Sequence, residues 1–245
     1  MQKRQSNRWT EDEIGILLQY ENTAKSSYAL FNEVVNSGYN RTYTSVSRKI
    51  QNMGLRKPKR YKIGKELRLG YLDIETSNLK ASIGIMLSWA IKSRDKNEIK
   101  GAIIDKQDIL DGVYDGKLVE LLVEEMNNYD LLFTYYGTNF DIPFIRTRCL
   151  DHNVRFPVYR EISHKDLYYM VRSKLKLHNN RLATVCEFFG IQGKTPVDPR
   201  LWREAMYGDE KALKKVYKHN VEDVKILERM HKRIEPFCPP TVNPI

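Results

Sequence analysis

The chain has 245 residues, 41% of them hydrophobic and 29% charged, with a formal net charge of +10. That apolar share excludes a wholly disordered chain and suits one large domain, or an ordinary domain with a small one. The longest near-apolar stretch, residues 83–91, is too short to cross a bilayer, and no apolar run follows Met1, so neither a membrane span nor a secretory leader is expected. Cys149, Cys186 and Cys238 stand far apart without CxxC spacing, which predicts neither a zinc site nor a disulfide framework and fits a reducing, cytoplasmic setting.

The positive charge is concentrated. Residues 1–62 carry 12 Lys and Arg against 5 Asp and Glu, whereas residues 63–245 carry 29 against 26. A basic excess of this kind favours nucleic acid as a partner.

Residues 9–55 predict three short helices. The first starts at Thr10, with Glu11, Asp12 and Glu13 in the turn where the helix dipole favours anions, and Glu13 at capping-box spacing. Ile14, Leu17 and Leu18 then recur at helical spacing. Phe31, Val34 and Val35 mark a second helix that Gly38 ends. A third opens near Thr42 or Thr44, runs through Val46, Ile50 and Met53, and closes at Gly54. Residues 56–62, basic and broken by Pro58, read as a linker.

From residue 66 the pattern changes. Strands are expected at 67–75, 83–91 and 99–104, a helix at 116–127, a buried strand at 131–136 and a helix at 140–150. A short strand near 158–162 precedes helical segments at about 165–177, 181–189, 199–206 and 209–232. Three successive strands followed by alternation predict an α/β domain with a mixed sheet. The tail, with Pro236, Pro239, Pro240 and Pro244, cannot continue a helix.

Three strings carry candidate chemistry. In Leu72-Asp73-Ile74-Glu75-Thr76, strand alternation places Asp73 and Glu75 on one face and Leu72 and Ile74 on the other. Adjacent carboxylates repel, and a divalent cation with hard oxygen ligands, Mg²⁺ or Mn²⁺, relieves the repulsion. The same string also fits a solvent-facing acidic pair. Asp141 follows an apolar strand and a glycine turn, where a helix start alone explains an Asp. His219 and Asp223 stand four apart on a helix and share a face; a plain exposed pair is the simpler reading of that segment alone. Tyr217 falls on another face, and Glu222 is one residue off the face.

The order of these residues resembles the DEDD superfamily of 3′–5′ exonucleases, which have a ribonuclease H-like fold, over about residues 66–232. The second motif, Tyr136-Gly137-Thr138-Asn139-Phe140-Asp141, matches that family's habit of placing Asn- and Gly-rich residues and Phe before the Asp. In the third, His219 occupies the spacing at which the family's tyrosine branch carries Tyr, one residue closer to the Asp than in its histidine branch. The branch, and with it the water-activating group, stays open. The resemblance implies two-metal phosphodiester hydrolysis, with Asp73 bridging two Mg²⁺ or Mn²⁺ ions and Glu75, Asp141 and Asp223 completing the shell. His219 would orient the attacking water or take its proton. Thr76 and Asn139 would contact the terminal nucleotide. Asp166 reads first as a helix N-cap and second as a carboxylate behind the ligands.

Trp9-Thr10-Glu11-Asp12-Glu13 and the segment Arg41 to Ile50 resemble the Myb/SANT family of helix-turn-helix domains, with Trp9 the one tryptophan of that family's three and Phe31 and Ile50 in the other core places. The resemblance implies a recognition helix whose outward residues Ser45, Arg48, Lys49 and Asn52 meet base edges, while Arg56, Lys57, Lys59 and Arg60 touch phosphate. A protein-binding three-helix module is the competing reading.

The expected fold is therefore α/β, a ribonuclease H-like mixed sheet flanked by helices over 66–235, with a small three-helix domain over 1–55, a basic linker over 56–65 and a proline-rich tail over 236–245. The expected function is a metal-dependent 3′–5′ exonuclease on DNA, RNA left open, with no membrane partner. The alternatives are a structure-selective endonuclease on the same fold and a catalytically inactive DNA-binding adaptor. The compact domain pairing also fits a bacterial or phage-borne protein.

Overall fold

The computed structural model describes residues 8–22, 27–55, 67–158, 161–193, 198–238 and 243–244. Internal contacts divide the chain into two units, Met1–Lys65 and Glu66–Ile245. No helix among the described residues is long and apolar enough to cross a membrane.

The first unit holds α1 (Glu11–Asn22), α2 (Ser27–Asn36) and α3 (Tyr43–Asn52). The capping box forms: Thr10 N donates to Glu13 Oε2 at 2.8 Å, and Glu13 N donates to Thr10 Oγ1 at 3.2 Å. Arg41 Nε donates to Glu13 Oε1 at 2.6 Å while its guanidinium covers the Trp9 ring at 4.3 Å. One buried acid thus caps α1 and ties it to the chain entering α3. Arg41's hydrogen bond holds the Glu13 carboxyl below its ordinary range against the opposing effect of burial. Leu17, Leu30, Val34, Val46 and Ile50 make the core. Leu18 and Val35, expected on the apolar faces, are 45% and 42% exposed.

Thr42 caps α3, and Gly54 follows its end at φ +67°, the left-handed conformation glycine adopts without strain. Arg48 and Asn52 are exposed on α3, as the outward row requires. Lys49 is half-buried, its Nζ 6.0 Å from the Trp9 ring centre. Ser45 departs from that row: its Oγ is shielded from solvent, with no hydrogen-bond partner among the described residues. The buried face of α3 is Val46, Ser47 and Ile50, and Ser45 sits only one residue from its edge. Arg56, Lys57, Lys59 and Arg60 lie outside the described residues.

The second unit runs β1 (Leu69–Thr76), β2 (Met86–Ser93), β3 (Ile99–Ile103), α4 (Lys106–Leu110), α5 (Gly116–Met126), β4 (Leu131–Thr134), α6 (Asp141–Asp151), β5 (Ser163–Asp166), α7 (Leu167–Lys174), α8 (Leu182–Phe189), α9 (Pro199–Met206), α10 (Glu210–Ile234), a 3₁₀ turn (Glu235–Phe237) and β6 (Asn243–Pro244). The strand order is β3-β2-β1-β4-β5-β6. β1 pairs antiparallel with β2 and parallel with β4, so the sheet is mixed. Leu72, Ile74, Trp89 and Ile91 pack with Leu122 of α5 and Ile142 and Ile145 of α6 on one face. Tyr71, Ala90 and Phe133 pack with Val171, Val185, Val224 and Leu227 of α7, α8 and α10 on the other. Alternation therefore turns Asp73 and Glu75 towards the α10 side.

Polar contacts pin α10 along the sheet. Glu228 meets Lys92 at 2.8 Å, His231 Nδ1 meets the Tyr71 hydroxyl at 2.8 Å, and Glu235 beyond its end receives Arg94 at 2.7 and 2.8 Å. Burial pushes the His231 pKa down to about 4, so the imidazole in this contact is neutral.

Two local expectations need correction. The strand expected near 158–162 forms at 163–166 instead; Ser-His-Lys-Asp hides it from hydrophobic patterning. His164 and Asp166 are nonetheless buried, because His164 Nε2 meets Thr134 Oγ1 at 2.8 Å and Asp166 takes backbone N–H groups. The strand expected to reach 136 stops at Thr134, since Tyr136 adopts φ +65°. Within the tail, Asn243–Pro244 pairs antiparallel with β5, while residues 239–242 and 245 lie outside the described set.

One ion pair ties the loop after β1 to the helices behind it. Asp115, fully buried, accepts from Met86 N at 2.7 Å and from Arg148 Nη2 at 2.6 Å, and lies 2.7 Å from His152 Nε2. Arg148 also donates to Ala81 O. Burial pushes the Asp115 carboxyl up, but His152, Arg148 and the Met86 N–H outweigh it, and the folded pKa lies below the ordinary 3.8. A depressed carboxylate contributes stability that is complete above about pH 4 and is lost as pH falls through the folded value. Arg148→Ala strands the buried charge, so urea unfolding at pH 7 should show a loss of about 3–5 kcal/mol, with a shallower acid dependence.

Candidate active site

Strand β1 and helix α10 bring the predicted residues together. Glu75, His219 and Asp223 each offer a ligand atom, and these atoms lie within 4.8 Å of one another. His219 Nε2 is 3.8 Å from both Glu75 Oε1 and Asp223 Oδ2. All three side chains are no more than 15% exposed. The i, i+4 spacing supplies the helical half of this set, and the strand end supplies the other half.

Asp73 stands two residues earlier on the same face. Its Oδ2 accepts from Asn220 Nδ2 at 2.6 Å, and Asn220 Oδ1 accepts from Ser88 Oγ at 3.3 Å. Asn220 and Ser88 are fully buried. The register sets Ser88 opposite Glu75 and Ala90 opposite Asp73, so small residues share the acids' face and let α10 come close. A register irregularity follows between Glu75 and Thr76, at the end of the strand that carries the acids.

Asp141 arrives from the other side of β1. Its Oδ1 accepts from Ile74 N at 3.3 Å, between the two β1 acids in sequence. The side chain is 4% exposed. Burial pushes its pKa up to about 7, moderated by its own and the Ile74 backbone N–H and reinforced by the Asp166 carboxylate. Asp166 acts as the N-cap of α7 through Tyr168 N, and also accepts from Tyr136 N and Thr138 N at 2.8 and 2.9 Å. It therefore shapes the turn that delivers Asp141.

The remaining candidates sit apart from the acids' contacts. Thr76 is buried and donates its hydroxyl to Asn78 O at 2.9 Å; it shapes the loop after β1. Asn139 is exposed and donates to the Tyr169 hydroxyl at 2.6 Å. Glu222 pairs with Lys225, off the site face. Tyr217 lies against Gly101 of β3, where a Cβ on that residue would strike its ring. Two contributors escaped the sequence reading: Asn220, whose place beside His219 and three before Asp223 was the available signal, and Trp202 of α9, whose ring stands edge-on to His219 at 5.6 Å.

The donor set fits a hard divalent cation. Carboxylate oxygens of Glu75 and Asp223 converge at low exposure with a single imidazole between them, and Asp73 is fixed alongside. A cation there would relieve the repulsion between these carboxylates.

Residues 70–235 match the model of the RNase H superfamily, and the chain belongs to that superfamily. No curated protein matches the chain. Among solved structures, the family B DNA polymerase from the hyperthermophilic archaeon Pyrobaculum calidifontis shares the fold with a TM-score of 0.56 at 18% identity. The match covers 73% of this chain and 26% of the polymerase, so the chain spans about a quarter of that protein.

Asn220→Ala removes a buried donor to a charged acceptor. Denaturant unfolding in cation-free buffer should show a loss of about 1.5–3 kcal/mol, and Asn220→Ala together with Ser88→Ala should cost less than the sum of the two single changes.

Proposed function

We propose that this RNase H superfamily protein is a divalent-metal-dependent 3′–5′ exonuclease acting on DNA, brought to its substrate by a three-helix module of the Myb/SANT kind. The convergence of Glu75, His219 and Asp223 beside the fixed Asp73 carries the proposal. Asp73, Glu75, Asp141 and Asp223 would hold Mg²⁺ or Mn²⁺, which supplies Lewis-acid activation of water and charge neutralisation at the leaving oxygen. Asn220 keeps one oxygen of Asp73 engaged and so sets the direction of the other. His219 takes a proton at Nε2, where Glu75 and Asp223 both stabilise the imidazolium. Trp202 holds the plane of that ring. DNA as substrate is supported by the fold shared with a DNA polymerase and by the basic charge of residues 1–62, with Arg48 and Asn52 exposed on α3.

The test is cleavage of 5′-labelled single-stranded and duplex DNA with and without Mn²⁺. A ladder shortening from the 3′ end, dependent on Mn²⁺ and abolished by Asp73→Ala, is expected. A single internal cut would replace the reading with a structure-selective endonuclease. Salt-sensitive binding without cleavage would replace it with a DNA-binding adaptor.

A further inference from the structure

We infer that the outward face of the first half of α10 binds the phosphate backbone of double-stranded DNA, which gives the second unit a hold on nucleic acid of its own, apart from the three-helix module. The choice of partner rests on the nuclease reading. Lys211, Lys214, Lys215 and Lys218 recur at helical spacing, and all four are exposed. The other face of the same turns, Ala212, Leu213, Val216 and His219, is buried. Lys218 stands one residue before His219, so the row ends beside the candidate site. The second half of the helix differs. Lys225 meets Glu222 at 2.7 Å, Lys232 meets Asp95 at 3.0 Å, and Arg229 Nε donates to Lys225 O at 3.3 Å. The four lysines of the first half form no ion pair with any described residue, although Glu210 and Glu222 stand four positions from Lys214 and Lys218.

The arrangement works against the helix that carries it. Lys211 lies in the first turn, at the end where the helix dipole disfavours a cation. Lys211 repels Lys214 and Lys215, and Lys218 repels the same two, because residues three and four apart are neighbours on a helix. Glutamate at position 211 alone would relieve both effects. Four cations kept together and unpaired point to an anionic partner from outside the fold. Their spacing suits a polyanion rather than a single anion. The four charges fall at about one per 3.5 Å of helix axis, close to the one phosphate per about 3.4 Å that each strand of B-DNA presents along its own axis. On the nuclease reading the neighbouring site takes phosphodiesters, so nucleic acid, rather than an acidic protein, is the polyanion that reaches the row.

The experiment uses the full-length protein in EDTA, so that binding is read without cutting. The probe is a fluorescein-labelled blunt DNA duplex, and its anisotropy gives Kd over a series of KCl concentrations. The variant Lys211→Gln/Lys214→Gln/Lys215→Gln/Lys218→Gln should bind about tenfold more weakly at low salt and flatten the plot of log Kd against log[KCl] by about three units. A second variant, Lys225→Gln/Arg229→Gln/Lys232→Gln/Arg233→Gln, loses the same charge and should flatten it by less than about one unit. Melting curves check folding, and should either variant not fold, Lys215→Gln/Lys218→Gln against Lys225→Gln/Arg229→Gln decides on the same comparison. An unchanged slope in the first variant, or equal flattening in both, overturns the inference. Unchanged DNA binding with lost binding of poly-glutamate overturns it in favour of an acidic protein. Each of these leaves the nuclease reading standing, because no metal is present. Lysine-dependent binding by a protein that cuts nothing with Mn²⁺ would instead sink the nuclease reading alone.

Discussion

The close approach of α10 to β1 and β2 is the constraint on which the site depends. Asn220 reaches Asp73 at 2.6 Å only because Ser88 and Ala90 leave room beneath the helix. Further along, Lys92, Tyr71 and Arg94 hold Glu228, His231 and Glu235. These contacts fix the helix in both rotation and translation. A helix turned by one residue would swing His219, Asn220 and Asp223 about 100° away from the strand. Packing at one end of α10 thus sets chemistry at the other.

The same closeness concentrates like charge. Glu75 and Asp223 converge on His219, Asp73 lies next along the strand, and Asp141 is buried against the backbone between them. Nothing in the packing of the sheet calls for acids here. Apolar residues at these places would bury without desolvating charge. Hydrogen bonds from Asn220 and the Ile74 N–H lower the cost without removing it. An arrangement that breaks the rules of core packing at one place, on well-packed supports, is the physical signature of a site kept for function.

Much of this was legible in the sequence, for identifiable reasons. Strand alternation placed Asp73 and Glu75 on one face, and helical period placed His219 with Asp223; both periods are properties of the backbone. The mixed sheet followed from the order of apolar runs, and its ribonuclease H-like character from the resemblance that the order of the acidic motifs carries. What patterning missed were buried polar residues. β5 reads as Ser-His-Lys-Asp, and its burial depends on partners on β4 and in the following turn. Asn220 offered only its place beside His219 as a signal, and its role emerges when Ser88 and Asp73 are brought from distant segments. Leu18 erred the other way, exposed where burial was expected, while the Ser45 hydroxyl is shielded where exposure was expected: each sits at the border of a buried face, where a period of 3.6 does not decide inside from outside. The left-handed turn at Tyr136 was hidden because tyrosine does not advertise that conformation.

The central claim is that the acids of β1 and α10 form a divalent-cation site. Its most direct test is an anomalous difference map from crystals grown with Mn²⁺, recorded at the manganese edge. The account predicts density within coordination distance of Glu75 and Asp223, with Asp73 Oδ1 turned towards it. A map without density at these carboxylates at saturating Mn²⁺ would contradict the account.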